Sequence, residues 1–114
     1  RLQQVQLVLM PILNPVGMYL NRRANGKGVD LNRNAPIDAE GRVPVLGGGH
    51  RIGAFLPWYR GRRQGQMETE NIALEGLLRR QVLNRPFATV VDLHSGLGMR
   101  DRLWFPHAYR KQAI

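Results

Sequence analysis

The sequence predicts an α/β domain, built on part of a mixed, mostly parallel sheet with crossover helices and a long Gly-rich connecting loop. Residues 5–13 and 88–93 are apolar nearly throughout, as buried parallel strands are. An amphipathic helical pattern lies between these two segments. A strand, a connection, a helix and a second strand form a crossover unit, and such units are right-handed with parallel strands.

The first predicted strand, residues 5–13, ends at Asn14-Pro15, because the residue before a proline is biased away from helix and proline interrupts a ladder. Residues 17–65 then carry Gly and Pro turn signals throughout. A segment this long without a periodic element is either disordered or functional. The embedded sequence Val29-Asp30-Leu31-Asn32-Arg33-Asn34 favours a functional loop.

A helix is predicted over residues 68–84. Glu68 and Glu70 stand in its first turn and Arg79 and Arg80 in its last turns, which matches the helix dipole at both ends. Its apolar stripe has helical spacing and consists of Leu74, Leu77, Leu78 and Val82. Pro86 sets the end, and the β-branched run Thr89-Val90-Val91 marks the second predicted strand.

The composition fits one small folded domain spanning residues 1–114. Hydrophobic residues are 43% and charged residues 22% of the chain, close to globular averages. No apolar run reaches the roughly 20 residues that a membrane span needs, and no signal-peptide pattern is present. Because cysteine is absent, a disulfide framework, a thiolate zinc site and a cysteine nucleophile are excluded, while the compartment stays open.

The net charge of +9 favours an anionic ligand. Seventeen basic residues, fifteen of them Arg, face eight acidic ones. Arginine binds carboxylate and phosphate in a fork geometry that lysine lacks. No run of five like charges and no RNA-binding aromatic signature accompanies the charge, so nucleic acid is a disfavoured partner.

Two sets of residues could carry chemistry. His94 follows the second predicted strand, and ligand sites in parallel sheets lie at the carboxyl ends of strands. A neutral imidazole binds zinc, but zinc needs three or four ligands, and His50 and His107 lack ligand spacing to His94. The second set is the Asn32-Arg33 pair, which could grip a carboxylate through a guanidinium and an amide.

The ordered motifs resemble the zinc carboxypeptidases of the carboxypeptidase A type. The resemblance covers roughly residues 5–107. The residues that carry it are, in order, Asn14-Pro15-Val16-Gly17, Arg23, Gly28-Val29-Asp30-Leu31-Asn32-Arg33-Asn34 and Asp92-Leu93-His94-Ser95-Gly96. It implies hydrolysis of the C-terminal peptide bond of a peptide with a free carboxylate. It implies Zn²⁺ as the cofactor, with His94 as a metal ligand and with Asn32 and Arg33 as the carboxylate-binding pair. It also implies Arg23 as the catalytic arginine at the oxyanion, with Arg22 as the alternative.

Val16 and Ala35 depart from the family pattern, which has an acidic and an aromatic residue there. The family's H-x-x-E zinc motif would precede Arg1, and its general-base Glu would follow residue 114. We therefore expect this chain to be the central fragment of a catalytic domain. We expect the full-length protein to be the enzyme and this chain alone to be inactive.

Two other functions fit the same residues. A zinc amidohydrolase or deacylase acting on acyl-amino acids or cell-wall peptides would also use an arginine for a carboxylate. A non-catalytic basic binding module would use the arginine-rich surface alone. A sheet cut out of a larger one would leave strand edges and apolar side chains uncovered, so the isolated fragment is expected to self-associate.

Overall fold

The computed structural model describes residues 5–37 and 48–93 of the chain. Helix α1 spans Pro15–Tyr19, a 3₁₀ helix spans Leu31–Arg33, and helix α2 spans Thr69–Gln81. Within those two ranges, no helix has the length and apolar character to cross a bilayer. Loops connect the three elements and make most of the contacts that position the site described below.

The predicted α/β fold is wrong. Residues 5–13 and 88–93 form no strand, and within the described ranges β-type pairing is limited to one parallel bridge between His50 and Tyr59. Leu7 and Leu93, expected inside a sheet, are largely exposed. Strand propensity describes how well a side chain suits a pleated, half-buried surface. Without a hydrogen-bonded neighbouring strand, it does not produce a sheet.

The first of these apolar segments is tied to the region around the end of α2 by the side chain of Gln6. Gln6 Nε2 donates to Gln81 Oε1 at 2.9 Å, and Arg85 Nη2 donates to Gln6 Oε1 at 2.7 Å. These are exposed contacts between polar groups, and they bury little of the apolar surface on either segment.

The predicted helix is confirmed in type and is shorter than expected. Helix α2 begins after Glu68 and ends at Gln81, with Val82 as its C-cap. The amide of Leu83 donates to the carbonyl of Leu78 at 3.1 Å, which closes the last turn before Pro86 is reached. The predicted leucine stripe is half-buried, so α2 lies against its neighbours along one side and is not enclosed.

Helix α1 occupies residues that the sequence analysis treated as the start of a loop. The Asn14 side chain accepts a hydrogen bond from the amide of Gly17 at 2.9 Å, and Pro15 stands in the first turn. An asparagine cap followed by proline is a helix start, since proline lacks the amide that would be unsatisfied there. A Cβ at Gly17 would come within 2.7 Å of the Ala24 carbonyl oxygen, so glycine allows α1 to pack against the following loop.

The buried centre of the described region is formed by loops and is mainly polar. The amide of Asp30 donates to the carbonyl of Tyr59 at 2.8 Å, and the amide of Arg60 donates to the carbonyl of His50 at 2.8 Å. The first bond joins the segment after residue 24 to the segment after residue 48, and the second lies within the later segment. The buried side chains there are Asn25, Val29, Asp30, Asn34, His50 and Tyr59.

Candidate functional site

Asp30 connects three of the residues that the sequence singled out. Its side chain is almost fully buried, and its Oδ2 accepts a hydrogen bond from Arg23 Nε at 2.8 Å. Its Oδ1 accepts from the amide of Asn32 at 3.2 Å, which caps the 3₁₀ helix. Its carbonyl oxygen accepts from the amide of Arg33 at 3.0 Å. Asp30 therefore holds the side chain of Arg23 and the backbone amides of Asn32 and Arg33.

Arg23 is fixed at one nitrogen and accessible at the others. Its side chain is 39% exposed, and within the described residues its terminal guanidinium nitrogens make no hydrogen bond. It lines an open groove of about 310 Å³ together with Gly17, Met18, Asn21 and Arg22. Arg22 Nη2 donates to the carbonyl of Asn25 at 2.6 Å, so each of the two arginines on this groove has one guanidinium nitrogen held by a hydrogen bond.

Asn32 and Arg33 lie on the 3₁₀ helix and not on the lining of that groove. The Asn32 residue is exposed, whereas Arg33 is half-buried. Arg33 Nε is buried and has no hydrogen-bond partner in the described region, while the Arg33 carbonyl accepts from Arg60 Nε at 3.1 Å. A buried donor without an acceptor costs free energy, so this nitrogen is a hydrogen-bonding group that the described neighbours of Arg33 do not satisfy.

A buried amide, Asn34, fixes the 3₁₀ helix to its surroundings. Its Nδ2 donates to the carbonyl of Arg60 at 2.9 Å, and its Oδ1 accepts from the amide of Glu68 at 2.6 Å. Asn71 of α2 adds a bond from its Nδ2 to the carbonyl of Leu31 at 2.9 Å. The beginning of α2 is thereby attached to the turn that carries Arg33.

Asn25 has the same function for the loop that carries Arg23. Its Oδ1 accepts from the amides of Lys27 and Val29, each at 3.0 Å, and its Nδ2 donates to Glu68 Oε2 at 3.1 Å. Glu68 Oε2 also lies 3.0 Å from Lys27 Nζ. Both arginine-bearing segments are thus attached to the start of α2, which makes their separation a fixed property of the fold.

The zinc ligands that the resemblance implies, His94 and a motif before Arg1, lie outside the described residues. The described residues contain no group of three or more His, Asp or Glu side chains able to hold a metal ion. His50, the histidine among them, is buried with Nε2 2.6 Å from the Pro57 carbonyl oxygen and Nδ1 without a partner. His94 lies outside the described residues, so its assignment as a ligand stays a prediction.

Two residues that matter here were not assigned a role from the sequence. The local role of Asp30 could have been predicted, because an aspartate that caps the amide two residues later is a common turn pattern. The role of Asn34 could not, since its partners Arg60 and Glu68 lie 26 and 34 residues away along the chain.

Comparison of the chain with family models, with curated proteins and with solved structures finds no match.

Proposed function

We propose that the full-length protein is a zinc metallocarboxypeptidase, which hydrolyses the C-terminal peptide bond of peptides, and that this chain is an incomplete part of it. The observation that supports this best is the attachment of Arg23 and of the Asn32–Arg33 turn to the single carboxylate of Asp30. Two cationic groups held in a fixed relation can serve two anionic groups of one ligand.

A carboxypeptidase has two such groups to recognise. The substrate carries a free C-terminal carboxylate, and negative charge develops on the scissile carbonyl oxygen in the transition state. In the proposed arrangement Arg33 and Asn32 bind the carboxylate through charge-assisted and amide hydrogen bonds. Arg23 stands where the oxyanion forms, and a pre-positioned cation there favours the transition state over the ground state.

The buried Nε of Arg33 supports the assignment of the carboxylate to this residue. It is a donor without an acceptor in the described region, so the Arg33 guanidinium keeps hydrogen-bonding capacity that its described neighbours do not use. The resemblance assigns the activation of water to zinc, and it places His94 in the ligand set of that metal. The proposed roles of Arg23, Asn32 and Arg33 do not depend on the predicted sheet, because loops and α2 make the contacts that hold them.

Replacing Arg33 tests the carboxylate-binding role. In the full-length protein, Arg33→Ala should lower kcat/KM for a peptide with a free C-terminus by about 1–3 kcal/mol of transition-state stabilisation, the scale of a charged hydrogen bond. The same peptide with an amidated C-terminus should be cleaved slowly by wild type and with no further loss in the variant.

The matched control is Arg63→Ala, which removes an exposed arginine from the same loop region. It should leave kcat/KM for both peptides within about twofold, since surface charges away from a binding site contribute little. If Arg33→Ala lowers kcat/KM equally for the free-acid and the amidated peptide, Arg33 does not bind the carboxylate.

A further inference from the structure

We infer that Asp30 is the positioning residue of the site, and that its two carboxylate oxygens have separate tasks. This inference builds on the proposed function. Oδ2 sets the orientation of Arg23, the cation assigned to the oxyanion, through a 2.8 Å contact. Oδ1 sets the turn of Asn32 and Arg33, the pair assigned to the substrate carboxylate, through a 3.2 Å contact.

In the ion pair of Asp30 with Arg23, the carboxylate is much more deeply buried than the guanidinium. The Asp30 side chain is 3% exposed and the Arg23 side chain 39% exposed. Burying a carboxylate costs free energy unless it is paired and hydrogen-bonded, and Asp30 receives a positive partner from Arg23 and a second hydrogen bond from the Asn32 amide. The guanidinium gains a fixed direction in return, because it is planar and its Nε donates to Asp30.

The two tasks can be separated by substitution. Asp30→Asn retains an oxygen that can accept from the Asn32 amide, because asparagine caps turns as well as aspartate does. It removes the negative charge facing Arg23. Asp30→Ala removes both contacts. If the role of Asp30 were purely structural, the two variants would differ only in stability. If its two oxygens position different groups, the two variants should differ in which kinetic constant changes.

The experiment measures kcat and KM of the full-length protein for a peptide with a free C-terminus. For Asp30→Asn we expect kcat to fall about tenfold or more, with KM within about twofold, because only the group at the oxyanion is misaligned. For Asp30→Ala we expect the same fall in kcat and a rise in KM of about tenfold. Glu75→Gln is the matched control, since it removes a carboxylate from the exposed pair with Arg79 and should change neither constant.

Two further measurements do not depend on hydrolysis. The Nε proton of Arg23, observed by NMR, should be protected from exchange in wild type and lose that protection in both variants. Binding of N-acetyl-phenylalanine, a probe with a free carboxylate, should be retained in Asp30→Asn and weakened about tenfold in Asp30→Ala. If wild type cleaves no peptide, the proposed function fails, while the exchange and binding measurements still decide the role of Asp30.

The inference is overturned if Asp30→Asn loses the Arg23 exchange protection and keeps the wild-type kcat. It is also overturned if Asp30→Asn and Asp30→Ala bind the probe equally. If Asp30→Ala fails to fold, Asp30→Asn is compared with the control Glu75→Gln. The inference is then contradicted if kcat, KM and the exchange rate of the Arg23 Nε proton in Asp30→Asn are all unchanged from wild type.

Discussion

At the scale of single residues, buried amides and one buried carboxylate hold the loops in place. The motif of residues 30–34 could be recognised from the sequence, and the structure shows that Asp30 and Asn34 of that motif are buried. Their partners could not be predicted, because the bonds of Asn34 reach residues on other segments. Spacing along a chain predicts local caps and turns, but it does not predict which distant carbonyl a buried amide will meet.

Replacing Gly61 with alanine should destabilise the protein more than replacing Gly65 does. Gly61 has a φ of +91°, and a Cβ there would lie 3.1 Å from Asn34 Nδ2. Gly65 has a φ of +74° with nothing within 4 Å of an added Cβ. Gly65→Ala should cost about 1 kcal/mol for the backbone conformation alone, and Gly61→Ala should cost about 1 kcal/mol more because Asn34 must move.

Urea unfolding of the full-length protein measures the difference between these two variants. Both variants place alanine at a positive φ, so both carry the backbone strain. The difference between their free energies of unfolding therefore measures the contact with Asn34. Equal free energies of unfolding for Gly61→Ala and Gly65→Ala would mean that Asn34 is not held as described.

At the scale of elements, the helical predictions and the strand predictions had different outcomes. Helix α2 could be predicted because the charges at its two ends, its leucine stripe and Pro86 are all local signals. Helix α1 was missed although Asn14-Pro15 is a helix start, because the pair was interpreted only as a strand stop. The strands over 5–13 and 88–93 were wrong because a strand is completed by its neighbours, which apolar character does not supply.

Asn71 gives a prediction for α2. Its Nδ2 joins the helix to the carbonyls of Leu31 at 2.9 Å and Asn34 at 3.2 Å. Asn71→Ala should lower the free energy of unfolding by about 1–2 kcal/mol, since two carbonyls lose a donor. It should also weaken the binding of a free-carboxylate peptide, because the Leu31–Arg33 turn loses its anchor.

Arg80→Ala is the control for Asn71→Ala, since Arg80 is an exposed residue of the same helix. Its free energy of unfolding should stay within about 0.5 kcal/mol of wild type. Calorimetry with the peptide and urea unfolding together separate the two effects. A variant Asn71→Ala that is destabilised but binds the peptide as wild type does would contradict the link between α2 and the turn.

At the scale of the whole molecule, a polar, loop-built centre lies beside apolar segments that are left exposed. Val5, Leu9, Phe87 and Leu93 are all more than half exposed. Apolar residues in such segments, when uncovered, favour association between chains. The centre itself depends on directional bonds among Asn25, Asp30 and Asn34, which explains why a prediction built on a hydrophobic sheet did not describe it.

The 114-residue chain is therefore predicted to self-associate. Sedimentation velocity at several concentrations should show a weight-average mass above that of the 13.0 kDa monomer, increasing with concentration. Replacing Leu7 and Leu93 with serine should reduce the association, because both side chains are largely exposed. A single monomeric species at all concentrations would contradict this prediction.

The central claim is that Arg23 and the Asn32–Arg33 turn, both held by Asp30, serve the oxyanion and the carboxylate of a peptide substrate. The most direct test is mass spectrometry of the products formed by the full-length protein from one peptide, supplied with a free or an amidated C-terminus. The account predicts stepwise loss of single residues from the C-terminus of the free acid and little reaction with the amide. Internal cleavage, or removal of residues at equal rates from the acid and the amide, would contradict it.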